Sequence, residues 1–325
     1  MNDRKTAGRV KSDGEAQRVN AASRSINHAS VDAQLLPGFE RRLVEIDGHP
    51  VLTLTAGSGP PVLLLHGDPQ THLCWHEIAS RLAERHTVVL TDLRGRGESH
   101  KPAPASDPAS NPYAKRLMAA EQVAVMRALG HERFALVGHD RGARVARRMA
   151  LDHPDAIERL CVMDFVPALD LYERTTAEIA QDFFFFLTQP RPQPERLIAG
   201  DPEGFMRQIL FGLGDRPVPY DTHALAVYLQ SASDPAAVAA MCECFRAGFT
   251  IDREHDRADR AAGRRIACPT LVLWGERGVV GRHFDMRSIW NAWCADARFA
   301  PMPSGHFIPE EAPSEAYAEL AVFLQ

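Results

Sequence analysis

Asp140 stands at the centre of Gly138-His139-Asp140-Arg141-Gly142, and a second arginine, Arg144, follows three residues after Arg141. A residue held between two such glycines, at a sharp strand-to-helix turn, is pushed out above the edge of a sheet. The context fits: "RFALVGHD" reads as a strand and "RGARVARRMALDHP" as a helix. Ligands of open α/β sheets bind at the carboxyl ends of the strands, so Asp140 would face a site. An aspartate here could simply cap the helix that follows. Both glycines and the preceding strand favour a nucleophile instead.

A carboxylate that attacks carbon forms an ester. Attack on an acyl group would give an anhydride, so the chemistry suits displacement at a saturated carbon, with halide or epoxide oxygen leaving. Water must then cleave the enzyme ester, which requires a general base. His306, in Pro303-Ser304-Gly305-His306-Phe307 after the last predicted strand, is the candidate. Two strand-end carboxylates could orient it: Asp164 in "CVMDF" or Glu276 in "LWGE".

Arg141 and Arg144 share a helix face in the first turn, where the macrodipole disfavours cations. A local rule broken this way points to function. The pair could clamp a small anion and keep Asp140 ionised. Arg147 and Arg148 are expected on the surface. In His66-Gly67-Asp68-Pro69 the backbone N–H of Asp68, together with that of Arg141, would hold the ester carbonyl while water attacks.

These residues need a scaffold. "RRLVEIDGHPVLTLTAG" reads as a hairpin turning at Asp47-Gly48. "PPVLLLHG" and "HTVVLTDL" are apolar runs that suit strands buried on both faces. "LCWHEIASRLAER" and "YAKRLMAAEQVAVMRALG" read as helices, the second with Leu117, Val125 and Leu129 inward and Gly130 as its stop. "IERLCVMDF", "CPTLVLWGE" and "ARFAPMPSGH" complete the strands. The alternation implies a mostly parallel twisted sheet flanked by helices, an α/β fold. We divide the chain into a disordered tail (1–35), a core (36–165 and 263–325) and an inserted helical cap (166–262).

The 325 residues carry a formal net charge of -5 and 45% hydrophobic side chains. With a pI near 6.3, the balance argues against a nucleic-acid partner. The N-terminus lacks the apolar stretch of a signal peptide and no later segment reads as a membrane span, so a cytoplasmic location is expected. The six scattered cysteines read as reduced, mostly buried thiols. The Cys242-x-Cys244 pair lacks a partner pair at ligand spacing, so neither a metal nor any other cofactor is expected.

"HGDPQTHLCW", "VVLTDLRGRGES", "LVGHDRGARVARRMALDHPDAIERLCVMD", "DPAAV", "CFRAGFTID" and "PSGHF" together resemble the haloacetate (fluoroacetate) dehalogenases of the α/β-hydrolase fold, from about residue 37 to the C-terminus. The order nucleophile, acid, histidine is that of α/β-hydrolases. The resemblance implies Asp140 as nucleophile, Asp164 rather than Glu276 as acid, and His306 as base. It implies Arg141 and Arg144 as ligands of the substrate carboxylate, and a homodimer. The substrates would be a small 2-haloacid and water.

The chain also departs from the family. A cap run resembling Y-W-H-W-Y-F-L usually brings a histidine and a tryptophan to the halide. Here it becomes "QDFFFFLTQP", with Phe183 and Phe184 in the matching places. Neither can donate a hydrogen bond, which disfavours fluoride as the leaving group. Tyr228 is the expected surviving cap tyrosine. Asp68 replaces an apolar residue and would repel an anion unless paired or protonated. Epoxide hydrolysis shares the aspartate nucleophile but needs cap tyrosines, for which Tyr228, Tyr220 and Tyr172 are available. A catalytically silent binding protein for a small carboxylate is the third reading.

Overall fold

The computed structural model describes residues 26–213 and 218–325. Eight strands form one sheet: β1 (Glu40–Ile46), β2 (His49–Ala56), β3 (Pro61–Leu65), β4 (Thr87–Thr91), β5 (Phe134–His139), β6 (Ile157–Met163), β7 (Thr270–Gly275) and β8 (Ala297–Met302), in the order β1-β2-β4-β3-β5-β6-β7-β8. From β4 to β8 every neighbour is parallel, while β1–β2 and β2–β4 are antiparallel. The β1–β2 turn has Asp47 at φ 51° and Gly48 at φ 77°. Positive φ at both central positions is the two-residue hairpin geometry that Asp-Gly favours.

Alternation within the strands divides the interior in two. Leu64, Leu90 and Val137 point into one apolar cluster with Trp75, Ile78 and Leu320. Leu63, Val89 and Leu136 point into the other with Val145, Met149 and Trp290. Helices must therefore cover both faces. Trp75 and Ile78 belong to the short 3₁₀ turn His72–Trp75 and helix α2 (His76–Leu82), and Leu320 to the C-terminal helix Pro313–Phe323. The opposite face is covered by α3 (Lys115–Ala128), α4 (Asp140–Asp152) and the helix Met286–Trp293. On α3 the sequence reading erred at Leu117, which is 46% exposed. Met118, Gln122 and Met126, successive at a spacing of four, are among the buried positions, so the inward stripe begins one residue after Leu117.

Between β6 and β7 the described chain holds helices α5 (Ala168–Arg174), α6 (Ala177–Asp182), α7 (Gln193–Gly200), α8 (Pro202–Gly212), α9 (Thr222–Gln230), α10 (Pro235–Phe249) and α11 (Ile251–Ala261), and no strand. Local signals start several of them. Asp221 caps α9, and Asp234 caps α10 with a proline in its first turn. No described helix is long and apolar enough to cross a membrane. All six cysteines are free, five of them buried.

Two expectations need correction. Residues 1–25 of the expected tail lie outside the described residues, but its last part is ordered as α1 (His28–Leu35), capped by Asn27. Asp32 of this helix is buried and ties it to the core. It accepts from Arg41 Nε at 2.9 Å and faces His72 Nε2 at 2.9 Å. Arg147 and Arg148 are not surface residues. Both are about 3% exposed, because α11 packs Asp256 and Asp259 against them. The Arg147 guanidinium also lies 3.9 Å from the Trp293 ring centre.

The other ring nitrogen of His72 meets Asp92 at 2.8 Å. Burial opposes charging of this imidazole, but Asp92 and Asp32 outweigh it and push its pKa up to about 9. The folded value exceeds the unfolded one, so the stabilisation is complete below about pH 6.5 and lost as pH rises through about 9. Guanidinium unfolding of the wild type from pH 6 to 10 should show a loss on the order of 3 kcal/mol. His72→Gln should flatten this part of the profile, and an unchanged slope would refute the ion-paired imidazolium.

Candidate active site

Asp140 occupies the turn from β5 into α4 with φ 44°. The two glycines around it serve close approach. A Cβ on Gly142 would lie 2.3 Å from the Leu65 carbonyl oxygen, and one on Gly138 would lie 2.6 Å from the Ala143 nitrogen. The turn therefore presses α4 directly onto the end of β3. The Asp140 carboxylate does not cap its own helix. Its Oδ2 accepts from the Asp68 backbone N–H at 3.0 Å, across from the His66-Gly67 loop.

Burial alone would raise the Asp140 pKa. The neighbouring cations, Arg141 first and then His306 and Arg144, reverse this and bring it down to about 2. Arg141 Nε stands 3.9 Å from Asp140 Oδ2 and 3.8 Å from Asp68 Oδ2, and the Phe245 ring covers its guanidinium at 3.7 Å. Among the described residues no carboxylate lies within 4.0 Å of Arg144, and its Nε is buried without a hydrogen-bond partner. Burial and the like charge of Arg141 both lower its pKa. Such a cation is poised for an incoming anion. Asp68 is paired: Arg96 Nε donates to its Oδ1 at 2.5 Å. Its charge is thereby offset before any anionic ligand arrives.

His306 follows β8, and its Nδ1 lies 2.6 Å from Asp164 Oδ2. The second oxygen of Asp164 accepts from Gly275 N–H at 2.9 Å. Glu276, the alternative acid, is exposed one residue further on. Burial lowers the affinity of His306 for a proton, but Asp164 and Asp140 outweigh it and the net shift is upward. Asp68, Asp140, Arg141, Arg144, Asp164, Phe183, Phe184 and His306 all line one cavity. Tyr228 does not. It is fully buried, and its hydroxyl donates to Glu310 Oε1 at 3.2 Å, on the side of α9 that packs into the interior. The tyrosine on the cavity is Tyr172, from α5.

The alpha/beta hydrolase fold family model matches residues 60–313. The fluoroacetate dehalogenase of Burkholderia sp is 43% identical over 293 residues, which is 89% of this chain and 95% of that protein. This chain belongs to the haloacetate dehalogenase family of α/β-hydrolase enzymes. It is also similar to the soluble epoxide hydrolase of Corynebacterium sp. (strain C12), at 31% identity over 82% of this chain and 91% of that one. The crystal structure of ALR0039 from Nostoc sp PCC 7120 superposes with a TM-score of 0.85 at 45% identity, covering 88% of this chain and 98% of that chain.

Within this dehalogenase-family site several supporting residues escaped the sequence reading. His139, next to the elbow aspartate, has its Nε2 2.8 Å from the His306 carbonyl oxygen, so Nε2 carries the proton. Burial, reinforced by His306, lowers its pKa to about 3 and keeps it neutral. Glu311 accepts from Gly305 N–H at 2.7 Å and Phe307 N–H at 2.8 Å, bracing both sides of His306. Arg96, in the Gly-rich turn after β4, could have been found as a cation facing Asp68, but only the fold brings the two loops together. Gly142→Ala should abolish soluble folded protein or lower its melting temperature by more than about 5 °C. A stable variant with wild-type melting would show that the α4–β3 contact is looser than described.

Proposed function

We propose that this enzyme hydrolyses the carbon–halogen bond of a small 2-haloacid, giving the 2-hydroxy acid and halide. One observation carries the reading: an ionised Asp140 shares its cavity with Arg144, a half-buried guanidinium whose inaccessible Nε has no hydrogen-bond partner and which has no carboxylate of its own among the described residues. The substrate carboxylate would bridge Arg141 and Arg144. This sets the halogen-bearing carbon against the free Asp140 oxygen, since Oδ2 is engaged by the Asp68 N–H. The new C–O bond forms as the carbon–halogen bond breaks, and halide leaves with the bonding pair.

Alkylation removes the charge of Asp140. That charge is one of the causes holding His306 protonated, so forming the ester frees the imidazole to act as base. A water that loses its proton to His306 attacks the ester carbonyl. The Asp68 N–H steadies the developing oxyanion, the 2-hydroxy acid leaves, and Asp140 is restored. Asp164 keeps the ring oriented and balances its positive charge. The helices between β6 and β7 act as a cap that excludes bulk water. Residues of this chain suffice for each step.

Epoxide hydrolysis has two observations in its favour, the similarity to the Corynebacterium soluble epoxide hydrolase and the Tyr172 ring on the cavity. Among the described residues it is the only tyrosine there, and two arginines serve a neutral epoxide poorly. Haloacid hydrolysis ranks first.

Asp140→Ala should release no halide from chloroacetate. His306→Asn should stop after one equivalent and carry the added mass on the peptide containing Asp140. Unmodified protein after prolonged incubation would exclude the two-step scheme. The wild type should behave similarly near pH 5. Asp140 remains ionised there while His306, whose pKa is raised, holds its proton, so halide appears in a burst followed by slow turnover. A linear trace with no adduct would refute the assignment of the base.

Phe183 and Phe184 bring no hydrogen-bond donor to the leaving group. Removing such a donor costs on the order of 100-fold, so bromo- and chloroacetate should exceed fluoroacetate in kcat/KM by at least about tenfold. Equal fluoride and chloride release would contradict this.

A further inference from the structure

Away from Asp140 the cavity is lined mainly by apolar side chains. Most of its polar groups cluster around Asp140 at the carboxyl edge of the sheet, while Tyr172 and Asp182 come from the helical insertion. Much of the remaining lining comes from the helical insertion: Leu171, Phe183, Phe184, Phe185, Ile209 and Met241. Phe183 to Phe186 are only half-buried. Phe183 and Phe185 stack with ring centres 5.4 Å apart and planes within 10°, and Tyr172 meets Phe185 at 5.4 Å. Phe245 already covers one face of Arg141.

Haloacetate offers one methylene. Once its carboxylate is on the arginines and that carbon faces Asp140, the aromatic wall is left against water, which is unfavourable. Of the two polar groups on the wall among the described residues, Asp182 is engaged by His283 at 2.8 Å and Arg282 at 3.2 Å, which leaves the Tyr172 hydroxyl to meet a polar substituent. We infer that the preferred substrates are 2-haloacids bearing a bulky apolar alkyl or arylalkyl group on the halogen-bearing carbon. This rests on the dehalogenase reading above and names its substrate class. The wall covers the substituent while the arginines hold the carboxylate.

In such acids the reacting carbon is stereogenic. The Asp140 oxygen bonds to it from the side opposite the halogen, and the halide departs with the bond pair. Water then attacks the Asp140 carboxyl carbon, not the stereocentre, and the substrate keeps the oxygen it took from Asp140. The product is therefore the 2-hydroxy acid of inverted configuration, and a chiral cavity takes one enantiomer.

The test measures chloride release by the purified wild type from chloroacetate, 2-chlorohexanoate and 2-chloro-3-phenylpropanoate. The last two react at a secondary carbon, which is intrinsically slower to displace, so any preference for them must come from binding. The expected result is kcat/KM at least about tenfold above chloroacetate, with half of each racemate consumed and the product inverted. Equal or better turnover of chloroacetate overturns the inference and leaves the dehalogenase reading intact. No chloride from any of the three overturns both. Phe184→Trp, which narrows the wall, should lower kcat/KM for the phenyl acid at least about tenfold more than for chloroacetate. Equal losses would remove the wall from substrate selection.

Discussion

The left-handed backbone at Asp140 is the constraint on which the rest depends. Holding a non-glycine residue at φ 44° costs roughly 1–3 kcal/mol, and the conformation persists because its surroundings leave no alternative. Gly142 lies against the Leu65 carbonyl, and β5 is hydrogen-bonded between β3 and β6. The side chain cannot turn back to cap α4, so its carboxylate reaches the Asp68 N–H instead. One backbone torsion thus decides that a short acid faces the cavity and not its own helix.

Electrostatics act on what that turn exposes. Four arginines follow Asp140 on α4, and their fates differ by which partner the fold supplies. Arg147 and Arg148 meet Asp256 and Asp259 of α11 and become structural. Arg141 is shared between Asp140 and Asp68, while Arg144 receives no carboxylate within reach among the described residues. A cation held half-buried without a counter-charge is costly. Sequence spacing cannot separate these roles, since all four lie within two turns of one helix. The difference arises from α11, more than a hundred residues later.

The same distinction explains what was legible beforehand. The elbow, the hairpin and the buried strands announce themselves through local chemistry: glycine pairs, Asp-Gly, and runs of Val and Leu. His306 stood out because it follows the last predicted strand, whereas Asp164 and Glu276 both ended strands and local chemistry could not choose between them; the fold places Asp164 against His306. What required long-range packing was missed. Leu117 looked apolar and inward but faces solvent. The helix His28–Leu35 looked like tail because its composition is polar, and it is held by Arg41 and His72, which no local pattern links to Asp32. Tyr228 and Tyr172 were equivalent on paper. A buried acceptor, Glu310, claims the first, and the start of the insertion beside Phe185 puts the second on the cavity.

Charge also connects the two halves of the proposed reaction. His306 has an anion on either side, Asp164 at 2.6 Å on Nδ1 and Asp140 across the cavity. With both ionised, the imidazole keeps its proton and helps hold Asp140 as a nucleophile. An ester at Asp140 would delete one of the two anions, so the imidazolium is less stable, gives its proton to solvent and leaves the neutral ring available as the base. His139 reinforces this sequence by staying neutral beneath the ring, 4.9 Å from its centre, and by holding the His306 carbonyl. A protonated, cationic imidazole there would oppose protonation of His306 in the free enzyme. The neutrality of that buried histidine is therefore as much a part of the site as the charge on its neighbours.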